Sequence, residues 1–107
     1  MIDEMMRGFA GTMPASPFAD LYATAWDLWH EGKTREAIDA FGKAAILINE
    51  VEAYGLASMK YILCLRGVFK TYRTREPANA NSADVLDDAT KENLRRMVEM
   101  VRPNLRA

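Results

Sequence analysis

The sequence predicts a mostly α fold, a helical bundle of about four main helices in one domain spanning residues 1–107. Two observations carry this. Apolar residues recur at three- and four-residue steps through most of the chain, the period of a helix with one buried face. The periodic runs are punctuated by residues that start or stop helices, among them Ser16-Pro17, Gly32, Gly67, Asp87 and Pro103. A chain of 107 residues is enough for one domain and too short for a complete barrel enzyme.

Residues 2–7 make about a turn and a half before Gly8. The segment "FAGTMP" that follows is short, apolar and punctuated by glycine, and reads as a strand remnant or a loop. Ser16 is placed to cap free amides. Pro17 fits the first helical position, where a missing N–H costs nothing. Phe18, Leu21, Tyr22, Ala25, Leu28 and Trp29 then form one apolar face of a helix over 17–31, and Gly32 stops it. Thr34 is expected to cap a helix over 34–51 with Ala37, Ile38, Phe41, Ala44, Ala45, Ile48 and Val51 on its inner face. The short "EGKT" link predicts that these two helices pack antiparallel. A third helix, 52–65, carries Leu56, Met59, Tyr61, Ile62, Leu63 and Leu65 around most of its circumference, so it is expected to be buried on most sides. Gly67 ends it. A long loop over 68–86 follows, of a length that usually wraps something or carries function. Asp87 caps the last helix, 87–102, with Asp88 favouring its positive end and Leu94, Met97, Val98 and Val101 on its inner face.

Composition excludes several functional classes. Half the residues are apolar, 27% are charged and the net charge is −1. Acids and bases are interspersed, which argues against nucleic-acid or membrane-surface partners, since both usually require a basic face. The longest apolar runs, Ala44–Ile48 and Tyr61–Leu65, are far below the ~18 residues of a membrane span. The acidic start "MIDEMMRG" lacks the basic region of a secretory signal. Cys64 is alone, which excludes an internal disulfide and points to a cytoplasmic location.

The search for chemistry returns few candidates. His30 has no second His or Cys at ligand spacing, so no metal is expected; it lies where it faces the negative end of its helix. Cys64 sits in an apolar run and reads as a buried structural thiol. Gly8 and Gly11 complete no phosphate-binding loop. Glu50 and Glu52 point to different helix faces and make a poor acid–base pair. The stretch "KTYRTR" gathers Lys70, Tyr72, Arg73 and Arg75, which could bind an anion, although a solvated loop is the default reading. No catalytic, cofactor-binding or metal-ligating residue is assigned.

Taken in order, Gly11-Thr12-Met13-Pro14, Gly32-Lys33, Ala37, Ile48-Asn49, Glu52, Gly55, Lys60, Leu63, Arg66-Gly67 and Arg75-Glu76-Pro77 resemble the C-terminal part of the dihydrodipicolinate synthase / N-acetylneuraminate lyase family. The likeness covers nearly all of this chain and about the last third of a family member. It implies that residues 1–16 correspond to the end of a (β/α)₈ barrel, including its last strand. Residues 17–31 would be the last barrel helix, and the remainder the helical extension beyond it. A whole barrel takes about 250 residues. The family acts through a barrel lysine that forms a Schiff base with a 2-oxo acid such as pyruvate, a tyrosine that relays protons, and a glycine-threonine loop that holds the carboxylate. That chemistry requires an amine held near neutral pKa by burial. The five lysines here are Lys33, Lys43, Lys60, Lys70 and Lys91. None matches the nucleophile, and Lys60 matches a lysine of the extension.

Two functions are therefore expected. The chain is a fragment or truncated homologue of such a lyase, inactive alone, whose 2-oxo acid substrate belongs only to a full-length parent. Alternatively it is a free-standing helical oligomerisation or interaction module that buries its exposed faces against itself or a partner. Either way a homo-oligomer is expected, because Phe18, Leu21, Tyr22, Leu28 and Trp29, together with helix 52–65, lack the barrel that would cover them.

Overall fold

A computed structural model describes residues 1–75 and 86–106. Among the described residues there are helices and no strand. α1 spans Ile2–Met6, α2 Ala19–His30, α3 Thr34–Tyr54, α4 Leu56–Leu65 and α5 Asp88–Val101. Short 3₁₀ turns at Ser16–Phe18 and Arg102–Asn104 precede α2 and follow α5.

The mostly α bundle is thus present, with four helices of substance and the short α1. Residues 9–15 carry no regular structure, so the strand remnant is absent and the loop alternative holds. Among the described residues, the amides of 10–13 donate to no backbone carbonyl.

The α2–α3 hairpin dominates the packing. Gly32 adopts φ +82°, a left-handed conformation suited to glycine, and the chain reverses over Glu31–Lys33. Tyr22 and Phe41, nearly equidistant from that turn, meet edge to face at 5.7 Å, as antiparallel helices require. Each helix presents a seam spaced alternately by three and four residues. Ala37, Ala40, Ala44, Leu47 and Val51 are buried on α3; on the other side lie Phe18 from the 3₁₀ turn and Leu21 and Ala25 of α2. This spacing keeps a straight stripe facing the partner helix, and the alanines admit a close approach. α4 adds Ile62 and α5 adds Leu94, Val98 and Val101, giving one continuous core.

Several boundaries differ from the expectation. Ser16 accepts no capping bond: the 3₁₀ turn intervenes, with Phe18 N–H bonded to Ala15 O at 3.0 Å, and α2 begins at Ala19. Thr34 is the first residue of α3 rather than its cap, a place taken by Lys33. α3 does not stop at Val51. Nothing in "NEVEAY" breaks a helix, and it runs to Tyr54, where Gly55 at φ 73°, ψ −153° turns the chain into α4. That backbone region is essentially reserved for glycine. The helix expected over 52–65 is thus α4 joined to the last turn of α3. Nor is α4 buried all round: Ala57, Ser58, Ile62 and Leu63 are buried, whereas Leu56 is 42% exposed. Asp87 caps α5 as expected, accepting from Thr90 N–H at 2.8 Å. The expected long loop over 68–86 falls largely outside the described residues, as do Glu76 and Pro77 of the family-like motif.

Phe18 and Leu21, expected to lack cover, are 2% and 0% exposed. The chain buries them itself, through α3, α4 and α5. Tyr22, Leu28 and Trp29 are half-buried.

Candidate functional site

The lysines decide what covalent chemistry is open to the chain. Lys33 pairs with Glu31 at 3.2 Å and Lys43 with Asp39 at 3.3 Å, both at the surface. Lys70 is exposed. Lys60 donates to the carbonyl of Arg73 at 3.0 Å. Lys91 lies 5.2 Å from the centre of the Tyr72 ring, and its pKa is raised, first by a hydrogen bond with the Tyr72 hydroxyl. A nucleophilic amine needs the opposite shift. No lysine is fully buried, so none has the desolvated setting a Schiff base requires.

An open cleft of about 340 Å³ lies between the unpaired N-terminal segment and α2. Gly11, Thr12 and Pro14 form one wall; Ala19, Tyr22, Ala23 and Trp26 form the other. The wall on α2 follows from sequence spacing, since positions 19, 22, 23 and 26 share one helix face. No lysine or carboxylate lines the cleft. Burial pushes the Tyr22 phenol up, reinforced by Glu4 and Glu52, so it is a neutral hydrogen-bonding group rather than a base. The cleft can hold an apolar group but brings no acid–base or nucleophilic pair together.

The remaining candidates resolve into structural roles. His30 donates from Nδ1–H to Trp26 O at 2.9 Å and lies against the Trp26 ring at 4.5 Å, facing the carbonyl end of α2 as expected. Among the described residues no group of His, Cys, Asp and Glu could hold a metal. Cys64 is half-buried rather than buried, and desolvation pushes its thiol up, away from the reactive thiolate. Glu50 accepts from Asn93 Nδ2 at 3.0 Å, joining α3 to α5, while Glu52 is exposed. The two carboxylates are not brought together.

Two assemblies escaped the sequence reading. In the first, Arg66 at the end of α4 grips Asp20 at the start of α2. Its NH1 donates to Asp20 Oδ1 at 3.0 Å and to Pro17 O at 2.7 Å, and its NH2 donates to Asp20 Oδ2. The Asp20 carboxylate also accepts the Arg106 amide at 2.9 Å, and the Arg106 guanidinium reaches Asp27 at 2.8 Å, which holds the C-terminal segment to α2. Burial alone would raise the Asp20 pKa; the bonds from Arg66 and Arg106 outweigh it and hold the carboxyl below its usual range.

In the second assembly the "KTYRTR" stretch lies pinned on the helices. Tyr72 meets Tyr61 of α4 edge to face at 5.1 Å and has Lys91 of α5 over its ring. Lys60 fastens the Arg73 carbonyl, and Arg73 N–H bonds Thr71 Oγ1 at 3.1 Å. The stretch is the solvated loop expected, with Lys70, Thr71, Arg73 and Arg75 exposed, fastened to the helices at Tyr72 and at the Arg73 carbonyl. Aromatic spacing gives no hint of the fastening, because Tyr61 and Tyr72 are separated by the end of a helix and a turn.

Compared with known proteins, the chain matches no family model, no curated protein and no solved structure. Among the described residues no helix is long and apolar enough to cross a membrane.

Proposed function

We propose that the chain is the C-terminal portion, or a truncated homologue, of a Schiff-base lyase resembling the dihydrodipicolinate synthase / N-acetylneuraminate lyase family, and that it has no catalysis of its own. The observation that carries this is the order and spacing of the family-like residues from Gly11 to Arg75. The exposed N-terminal segment is compatible with it. Met6, Phe9 and Met13 are 69%, 55% and 97% exposed, and the amides of 10–13 are unpaired among the described residues, as a strand separated from its neighbours would be. Any 2-oxo acid would bind only in a full-length parent, in a cytoplasmic setting that suits the unpaired Cys64. An antibody against this chain tests the reading on extracts of the source cells. A reactive polypeptide of roughly 30 kDa or more, the size of a barrel with its extension, is expected. A product no larger than this chain would overturn the C-terminal portion and leave only the truncated homologue.

One observation favours the second reading, a free-standing helical oligomerisation module. The core closes over Phe18 and Leu21 without a barrel. In that reading the self-association surface lies not on the faces of α2 or α4 but on the exposed Phe9–Met13 segment. Sedimentation of the purified chain then gives a dimer or larger species, and Phe9→Ser with Met13→Ser returns it to monomer. A parent chain that remains monomeric at all concentrations excludes the module.

A further inference from the structure

The net charge of −1 conceals a strong local imbalance. Most of the described basic side chains have a carboxylate at ion-pair distance, usually three or four residues away on the same helix. Six do not, among the described residues: Arg35, on the far side of the α2–α3 turn, and Lys60, Lys70, Arg73, Arg75 and Lys91. The other five lie on, or touch, the single segment 70–75. Lys60 touches the backbone of Arg73, Lys91 touches Tyr72, and Lys70 and Arg75 lie within three residues of Arg73.

Among the described residues no carboxylate forms an ion pair with them. Asp88 acts on Lys91 only at a distance. Glu92 is claimed by Arg95 and Arg96, at 2.6 and 3.0 Å. The arrangement is also rigid where it matters. The Tyr61–Tyr72 contact and the Lys60–Arg73 bond fix the backbone of the segment while the guanidinium of Arg73 stays exposed. Beside it, the Thr74 hydroxyl is buried with no hydrogen-bond partner among the described residues. Cationic donors beside a phenol are groups that hold a multiply charged oxyanion.

We infer that the surface formed by Lys60, Tyr72, Arg73 and Lys91, flanked by Lys70 and Arg75, binds a phosphate group. The ligand is a phosphate-bearing anion in which the planar guanidinium of Arg73 takes two oxygens and the ammonium groups of Lys60 and Lys91 supply point charge. This surface is independent of the lyase reading, since it requires neither a barrel nor a covalent step.

The test is a heteronuclear NMR titration of the whole chain with inorganic pyrophosphate at low salt. Amides of residues 70–75 and the ends of α4 and α5 shift saturably, and binding weakens as salt screens it. Arg73→Glu weakens binding by about tenfold or more, the loss of one charge-assisted hydrogen bond. Arg35→Glu makes the same change in net charge elsewhere and leaves affinity within about twofold, because a distant surface charge acts only through a screened field. Both positions are exposed, so both variants keep the parent's circular dichroism spectrum. A second arm replaces pyrophosphate with vesicles containing phosphatidic acid. Shifts at the same residues with vesicles alone would place the phosphate on a lipid headgroup. Shifts with pyrophosphate place it on a soluble ligand. Shifts scattered over all basic residues, equal weakening by Arg35→Glu and Arg73→Glu, or no saturable response in either arm would overturn the inference.

Discussion

Removing the Asp20 carboxylate should cost this chain a large share of its stability. In the folded chain the Arg66 side chain is 6% exposed and that of Asp20 14%. Asp20→Ala leaves a guanidinium in that position with Pro17 O as its remaining acceptor. Its Nε already lacks a partner among the described residues, so little is left to offset the charge. Breaking a buried pair from one side typically costs about 3–5 kcal/mol. A domain of this length has roughly 5–15 kcal/mol in all. Arg106 loses its backbone acceptor as well, which loosens the C-terminal segment from α2.

The assay is urea unfolding followed by fluorescence of Trp26 and Trp29, both on α2. With a slope of roughly 1–3 kcal/mol per molar, the midpoint falls by about 1–5 M. The double variant Asp20→Leu with Arg66→Met should lose less than Asp20→Ala alone, since it leaves no buried charge uncompensated. The pH dependence has a definite sign. The folded Asp20 pKa lies below the ordinary 3.8. The pair's contribution is therefore complete above that value and is lost as pH falls through the folded pKa. An Asp20→Ala variant within about 1 kcal/mol of the parent would refute the reasoning, because a pair this enclosed cannot be both broken and harmless.

Three further outcomes are expected. Gly55→Ala forces a side chain into φ 73°, ψ −153° and should cost about 1–3 kcal/mol, read as a lower melting temperature; an unchanged melt would mean that the α3–α4 junction relaxes. The Glu92 carboxyl, held by hydrogen bonds from Arg95 and Arg96, should titrate at about 2 instead of 4.5, and Arg95→Gln with Arg96→Gln should restore an ordinary midpoint in a carbon-detected NMR titration. The chain mixed with pyruvate and reduced with borohydride should gain no mass, as no lysine is desolvated; a stoichiometric adduct on one lysine would contradict that.

What the sequence revealed was local. The stop at Gly32 and the cap at Asp87 depend on residues within one turn of each other, and both hold. The α2 and α3 seams were visible because burial imposes its period on consecutive residues. Capping at Ser16 and Thr34 failed because the preference is statistical: a 3₁₀ turn at Pro17 and a helix start one residue early removed the need for either hydroxyl. The break at Gly55 was misplaced because apolar spacing continues smoothly across it; only the backbone angle marks the boundary. The Asp20–Arg66 pair spans 46 residues, and no local pattern signals it. Cys64 proved half-buried because α4 is covered on fewer sides than its composition implied.

The basic surface has an energetic consequence that ties it to stability. Lys60 is tied to the Arg73 carbonyl and Lys91 lies over the Tyr72 ring, so the surface exists only in the folded chain. An anion that binds only the assembled surface adds its binding free energy to the stability of the fold. By mass action, a ligand at about ten times its dissociation constant stabilises the folded state by about 1.4 kcal/mol. For a domain of this size that raises the melting temperature by roughly 5 °C. Pyrophosphate should therefore stabilise the parent and the Arg35→Glu variant alike, and Arg73→Glu much less. High salt should reduce the increment from pyrophosphate by screening its attraction to the surface. A pyrophosphate increment that persists undiminished at high salt or in Arg73→Glu would place the stabilising anion somewhere other than this surface.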